Sequence, residues 1–193
     1  EEDLENAVED EFGVKYSKDW KRLLKAPSGL KGEYSIREGV KVIGNNAFSE
    51  CRSLTNINIP NSVTNIGDGA FGYCTLLTKI NIPDSVTNIG DWTFSRCTFL
   101  TKINIPDSVT NIGNHAFHDW NGDLYNESKA FIYEHQVLFN KDKTILVAYR
   151  SEEKNYIIPN NVTNIGDSAF MYCKSLTNIN IPNSVTNIGD EVF

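Results

Sequence analysis

A phrase of 23 residues recurs along this chain, and a fixed period of that size dictates architecture before any single element is assigned. Ile36, Ile59, Ile82 and Ile105 are successive starts at a spacing of 23, and Ile158 and Ile181 resume that spacing after a gap of 53. Counted from this Ile, Pro follows in five of the six units, and Val stands at the fourth step in all of them, from Val40 to Val185. A Gly column runs Gly44, Gly67, Gly90, Gly113, Gly166 and Gly189, and a Phe column runs Phe48, Phe71, Phe94, Phe117, Phe170 and Phe193. One unit cannot bury its apolar edges alone. Stacking neighbours ~4.8 Å apart does bury them, Ile on Ile and Phe on Phe, so the period predicts a solenoid with near-continuous parallel sheets.

Each part of the phrase has a physical task. Ile57-Asn58-Ile59 alternates with period two, which puts both Ile side chains inward and the Asn outward in a short strand. Pro60 ends the pairing because it has no N–H to donate. Val63 to Ile66 reads as a second short strand, stopped at Gly67, where a turn with positive φ is expected. Ala70, Phe71 and Cys74 fall at i, i+1 and i+4, the pattern of one helical or 3-10 turn.

The column Leu54, Leu77, Leu100 and Leu176, followed by Ile57, Ile80, Ile103 and Ile179, resembles a leucine-rich repeat, L-x-x-I-x-I. The phrases I-P-[ND]-S-V-T-N-I-G and A-F-x-x-C are more specific and resemble the BspA type of bacterial surface antigen, over most of residues 34–193. The fold expected from pattern and resemblance together is an α/β leucine-rich repeat solenoid, β-rich with short helical or 3-10 turns. The resemblance implies right-handed curvature, an extracellular or cell-surface location in bacteria, and adhesion to host proteins rather than catalysis. A protein partner, such as a host extracellular matrix protein, is therefore expected.

Two segments fall outside the frame. Val137 to Tyr149 has apolar arms around Lys141-Asp142-Lys143 and reads as a β-hairpin. Val14 to Ala26 aligns with it at an offset of 123, Tyr16 on Phe139 and Leu23 on Leu146, so one hairpin-bearing variant of the repeat is used twice. At the N-terminus it would cover the open sheet edge. Before it, Leu4, Val8 and Phe12 at i, i+4 and i+8 among acidic residues predict a short amphipathic helix. The domain reading is an acidic helix plus capping hairpin over 1–33 and repeats one to four over 34–120. An inserted variant repeat follows over 121–157, then repeats five and six over 158–193, the last incomplete. A first residue Glu and a last residue Phe193 inside a repeat suggest a piece of something longer, with an export signal removed.

Other classes of function find little support. A formal charge of -7 argues against nucleic-acid binding, and the longest apolar stretches are too short for membrane insertion. The string from Gly67 to Gly72 matches G-x-G-x-x-G, but the same slots elsewhere read differently and no βαβ context surrounds it, so no nucleotide cofactor is expected. Cys51, Cys74, Cys97 and Cys173 hold one slot of the repeat and lack C-x₂₋₄-C spacing, which predicts buried free thiols and no metal. His115, His118 and His135 carry no zinc or catalytic signature.

What remains is surface. The outward positions of the first strand are Asn56/Asn58, Lys79/Asn81, Lys102/Asn104 and Asn178/Asn180, the candidate binding face of a solenoid. The plain alternative is an Asn ladder that satisfies itself, in a chain that serves only as a spacer. Departures from the phrase are the better guide: Leu76 and Phe99 replace Ser53 and Ser175, Trp92 and His115 share a slot otherwise small or polar, and Trp120 replaces a Cys. Leu76, Phe99, Trp92 and Trp120 are candidate apolar contacts to a protein, or stacking platforms for a glycan.

Overall fold

The repeated phrase becomes a rung with two short strands, and successive rungs pair strand for strand in parallel, so that identical positions fall opposite one another: Asn65 faces Asn88 and Ile66 faces Ile89. The structure, a computed structural model, describes residues 2–193, with side chains from Leu4 onward. Its rungs form β-solenoid segments in two compact units, Glu1–Glu127 and Ser128–Phe193.

In the first unit, after the short helix α1 (Glu2–Glu5), come β1 (Val8–Glu9), β2 (Lys15–Tyr16), β3 (Arg22–Lys25), β4 (Lys31–Ser35), β5 (Val42–Ile43) and β6 (Ser53–Asn58). They are followed by β7 (Asn65–Ile66), β8 (Lys79–Ile80), β9 (Asn88–Ile89), β10 (Lys102–Ile105), β11 (Asn111–Ile112) and β12 (Asp123–Asn126). One sheet runs β1-β2-β3-β5-β7-β9-β11; the other side of the rungs carries β4-β6-β8 and, separately, β10-β12. The expected near-continuous pairing of the first strands is thus interrupted between β8 and β10. The second unit contains β13 (Phe131–Glu134), β14 (Val137–Asn140), β15 (Ile145–Tyr149), β16 (Asn155–Ile157), β17 (Asn164–Ile165), β18 (Asn178–Asn180) and β19 (Asn187–Ile188). Its sheets run β13-β14-β15-β17-β19 and β16-β18. The boundary falls within the segment 121–157 because β12 completes the sheet of the first unit by pairing with β10.

The fold is β throughout, and the α/β description with helical turns is corrected: among the described residues the one α-helix is four residues long. The A-F-x-x-C segment shows why. A helix takes every amide locally, whereas here alternate amides leave the rung. Ala70, Gly72 and Cys74 N–H donate to Gly67, Gly69 and Phe71 carbonyls at 3.2, 2.9 and 3.1 Å. Between them, Gly69, Phe71 and Tyr73 donate to Asp91, Thr93 and Ser95 of the next rung at 2.6, 3.0 and 2.8 Å. The turns also place non-glycine residues in the left-handed region, Tyr73 at φ 61° and Arg96 at 56°, which a helix forbids.

Positive φ is not what the Gly column supplies, contrary to expectation. Gly90 is there because the preceding rung lies against it: a Cβ would stand 2.5 Å from Asp68 Oδ1 and 2.6 Å from Asp68 N. That Asp68 oxygen accepts the Asp91 N–H at 2.9 Å, and Asp91 Oδ1 in turn accepts Asn114 N–H at 2.8 Å. A bare Cα and an inter-rung Asx bond are two halves of one device.

Side chains stack in columns as the period requires. Phe48, Phe71 and Phe94 are fully buried, their rings nearly parallel with centroids 5.4 and 6.0 Å apart, and Phe117 continues the column at 6.3 Å. Thr87 Oγ1 donates to the Thr64 carbonyl at 3.2 Å and Thr110 Oγ1 to that of Thr87 at 3.3 Å.

The hairpin copies pair alike: β2-β3 and β14-β15 are antiparallel with register shifts at Lys15/Tyr16 and Leu138/Phe139, 123 residues apart, and Leu23 and Leu146 each lead into a parallel rung. The amphipathic helix expected over Leu4, Val8 and Phe12 stops at Glu5 and does not reach Val8 or Phe12. Val8 instead lies in β1, paired antiparallel with β2, the place that β13 has beside β14. Asp10 fixes this edge: Oδ1 accepts Phe12 and Val14 N–H at 2.9 Å each, and Oδ2 accepts the Tyr34 hydroxyl at 2.6 Å. Tyr34 also hydrogen-bonds Tyr16.

The four thiols are free. Cys74 and Cys97 Sγ donate to the carbonyls of Phe48 and Phe71 of preceding rungs, both at 3.2 Å. Burial pushes the Cys51 and Cys173 thiols up to about 11 and Cys97 to about 12, and raises Cys74 further. The folded chain therefore holds these thiols protonated where an unfolded thiol, with an ordinary pKa of about 8.5, ionises. Two outcomes follow. At pH 8 an aromatic disulfide reagent reacts slowly with the native chain, first at half-buried Cys173, and with all four thiols after denaturation. Stability contributed by the protonated thiols is complete below about pH 8.5 and is lost as pH rises through 11 to 12, so the melting temperature falls across that interval.

Candidate functional site

Alternation along the first strands decides what faces solvent. In β10, Ile103 and Ile105 are buried while Lys102 and Asn104 are exposed. Parallel register turns these into two columns across the first unit. In one, Glu33 lies opposite Asn56 and Asn56 opposite Lys79; Lys102 lies opposite Asp123. In the other, Ser35 lies opposite Asn58 and Asn104 opposite Tyr125. Asn81 is also exposed, following β8.

The ends of the face satisfy themselves. Asn56 Nδ2 donates to Glu33 Oε1 at 3.1 Å and Asn104 Nδ2 to Glu127 Oε1 at 2.8 Å. The centre does not: among the described residues neither Lys79 nor Lys102 has a carboxylate within ion-pair distance. At the entry to the same two strands stand Leu76 and Phe99, 43% and 60% exposed. Tyr125, 54% exposed on the outward side of β12, adds an aromatic ring that the sequence reading overlooked. Extending the alternation through Leu124 would have found it. In the second unit Asn178 Nδ2 donates to Asn155 Oδ1 at 2.7 Å, and Asn180 lies exposed opposite the outward Ile157.

The model of the BspA type leucine rich repeat region matches residues 31–131 and 148–193, in six copies. The chain belongs to this family. Among solved structures it is similar to a leucine rich cell surface protein from Faecalibacterium prausnitzii, at 31% identity and a TM-score of 0.66 over 86% of this chain and 52% of that one. It is similar also to a leucine-rich repeat protein from Eubacterium ventriosum, at 30% identity and a TM-score of 0.66 over 82% and 50% of the two chains. The pneumococcal vaccine antigen PcpA shares the fold at 24% identity, with a TM-score of 0.71 over 95% of this chain and 50% of that one. This chain thus spans about half the length of these relatives. Among curated proteins none matches it.

Within the BspA-type phrase two aromatic departures have separate fates. In the fourth rung the Cys slot holds Trp120, which is only 2% exposed, packs 5.8 Å from the Phe117 ring and donates its indole N–H to the Leu100 carbonyl at 2.7 Å. This corrects the expectation that Trp120 contacts a ligand. The larger ring fills the core where a thiol sat, and Gly122 accommodates it, since a Cβ there would stand 2.5 Å from Trp120 Cζ2. Trp92 is on the turn side of its rung, 38% exposed with φ 57°. Its ring stacks on His115 at 3.9 Å and meets the edge of His118 at 4.7 Å, so one indole face is already covered. Leu76 and Phe99 share the sheet side with the lysines; Trp92 does not. Among the described residues no cluster of His, Cys, Asp and Glu could hold a metal, and no helix is long and apolar enough to cross a membrane.

Proposed function

We propose that this chain is a non-catalytic binding module of a bacterial surface protein, and that it holds a protein partner against the sheet side of its first unit. One observation carries the reading: two large apolar side chains, Leu76 and Phe99, stand exposed in consecutive rungs in a slot that elsewhere holds Ser53, Gly122 and Ser175. Exposing apolar area in the same slot twice forgoes burial worth about 25 cal/mol per Å², and apolar patches of this kind mark contact surfaces. Family membership and the surface location named for the Faecalibacterium prausnitzii protein support placement outside the cell. A glycan partner has less support, since Trp120 is buried and Trp92 is covered on one side.

The competing reading is a spacer whose repeats only set distance. The self-paired amides Asn56–Glu33 and Asn178–Asn155 favour it, because such positions need nothing from outside. Binding of the chain to immobilised extracellular matrix proteins separates the two. The expected result is retention by at least one protein, lost by about tenfold or more in a variant with Leu76→Ser and Phe99→Ser. Retention unchanged in the variant sinks this choice of face; no retention by any protein favours the spacer.

A further inference from the structure

Between β8 and β10 the first-strand pairing is interrupted, while on the opposite side of the same rungs β7, β9 and β11 remain paired without a break. The interruption coincides with the two cations. Lys79 and Lys102 occupy the same position of consecutive rungs, and among the described residues neither has a carboxylate within ion-pair distance. Like charges side by side are destabilising, and the one acidic neighbour in register, Asp123 opposite Lys102, makes no ion pair with it. The acids lie toward the ends of the column, Asp123 one rung beyond Lys102 and Glu33 two rungs before Lys79, so the column is positive at its centre and negative at its ends.

From this arrangement we infer that the seam between β8 and β10 receives an acidic segment of a protein partner. A partner carboxylate bridges Lys79 and Lys102, and an adjacent apolar side chain rests on Leu76 and Phe99. This rests on the binding reading above and deepens it by naming the chemistry recognised. Charge complementarity chooses the occupant. A carboxylate accepts from two ammonium groups at once and removes their mutual repulsion, while the acidic ends of the column reject a longer run of negative charge. Glu33 and Asp123 therefore disfavour a polyanion that would extend along the whole face.

Selection of a random dodecapeptide phage library on the intact chain tests the inference. Expected is enrichment of peptides with Asp or Glu beside Leu, Phe or another large apolar residue. Recovery of those phage falls roughly tenfold on a variant with Lys79→Met and Lys102→Met, which keeps the side-chain stems. A second variant, Lys79→Glu with Lys102→Glu, is expected to enrich basic peptides instead, and a melting curve like the parent's shows that both fold. Enriched peptides without an acidic bias, or recovery unchanged by the Met variant, overturn the inference. If recovery in that case still depends on Leu76 and Phe99, the binding module survives and only its charge chemistry is wrong. Heparin competing at equal charge, or self-association of the chain lost in the Met variant, assigns the seam to a polyanion or to a second copy and likewise overturns it.

Discussion

Gly90→Ala is expected to destabilise the first unit toward the upper end of the about 1–3 kcal/mol that overpacking typically costs. The new methyl would stand 2.6 Å from Asp68 N and 2.7 Å from the Gly67 carbonyl carbon, and these are backbone atoms that no rotamer change can move. To relieve the contact the two rungs must separate, and separation breaks the Asp91 N–H bond to Asp68 Oδ1 that sits at the same point. Gly29→Ala is the matched control: a Cβ there meets nothing within 4 Å, and the expected change stays within about 0.5 kcal/mol. Urea unfolding of both variants checks the pair. If Gly90→Ala proved as mild as Gly29→Ala, the close-approach account of the Gly column would be wrong.

Phe71→Ala is expected to cost about 3–5 kcal/mol, the range for deleting a buried aromatic ring and leaving a cavity. Phe71 is fully buried, with Phe48 stacked on one face at an interplanar angle of 7° and Phe94 on the other at 1°, so its loss opens two inter-rung contacts. In a stacked repeat each rung is stabilised mainly by its neighbours, and removing a middle ring divides the column. Amide exchange is expected to rise on both adjacent rungs, at 48–51 and 94–97, as well as at the site. A loss confined to the mutated rung would show that the Phe column is a set of independent contacts.

The period made most of the fold legible, because a phrase copied at a fixed spacing can bury Ile, Val, Leu and Phe only by stacking on itself. The thiol column was legible for the same reason. Readings that treated a rung as a local object were the ones to fail. Ala70, Phe71 and Cys74 have helical spacing, but alternate amides are claimed by the next rung, which spacing within one rung does not encode. Gly67 and Gly90 looked like turn glycines, whereas their need comes from Asn45 and Asp68 one rung away. Val8 read as part of a helix until β2 supplied it with a partner strand. In the candidate site, Leu76 and Phe99 were visible as departures from Ser, and strand alternation gave their neighbours Lys79 and Lys102. Trp120 carried the same kind of signal and is buried, because a replaced core Cys and a replaced surface Ser differ only in which way the slot points. The Asn excess, 23 residues in all, is largely the outward side of the copied phrase, and the proposed binding face is assigned to the Lys, Leu and Phe that interrupt it.

The most direct test of that claim is amide hydrogen exchange of the chain with and without the extracellular matrix protein it retains best. Protection over 76–81 and 99–104 in the complex is the predicted result, since these segments carry Leu76, Lys79, Phe99 and Lys102. Protection confined to the turn side, over 91–96 and 114–119 around Trp92 and His115, would contradict it.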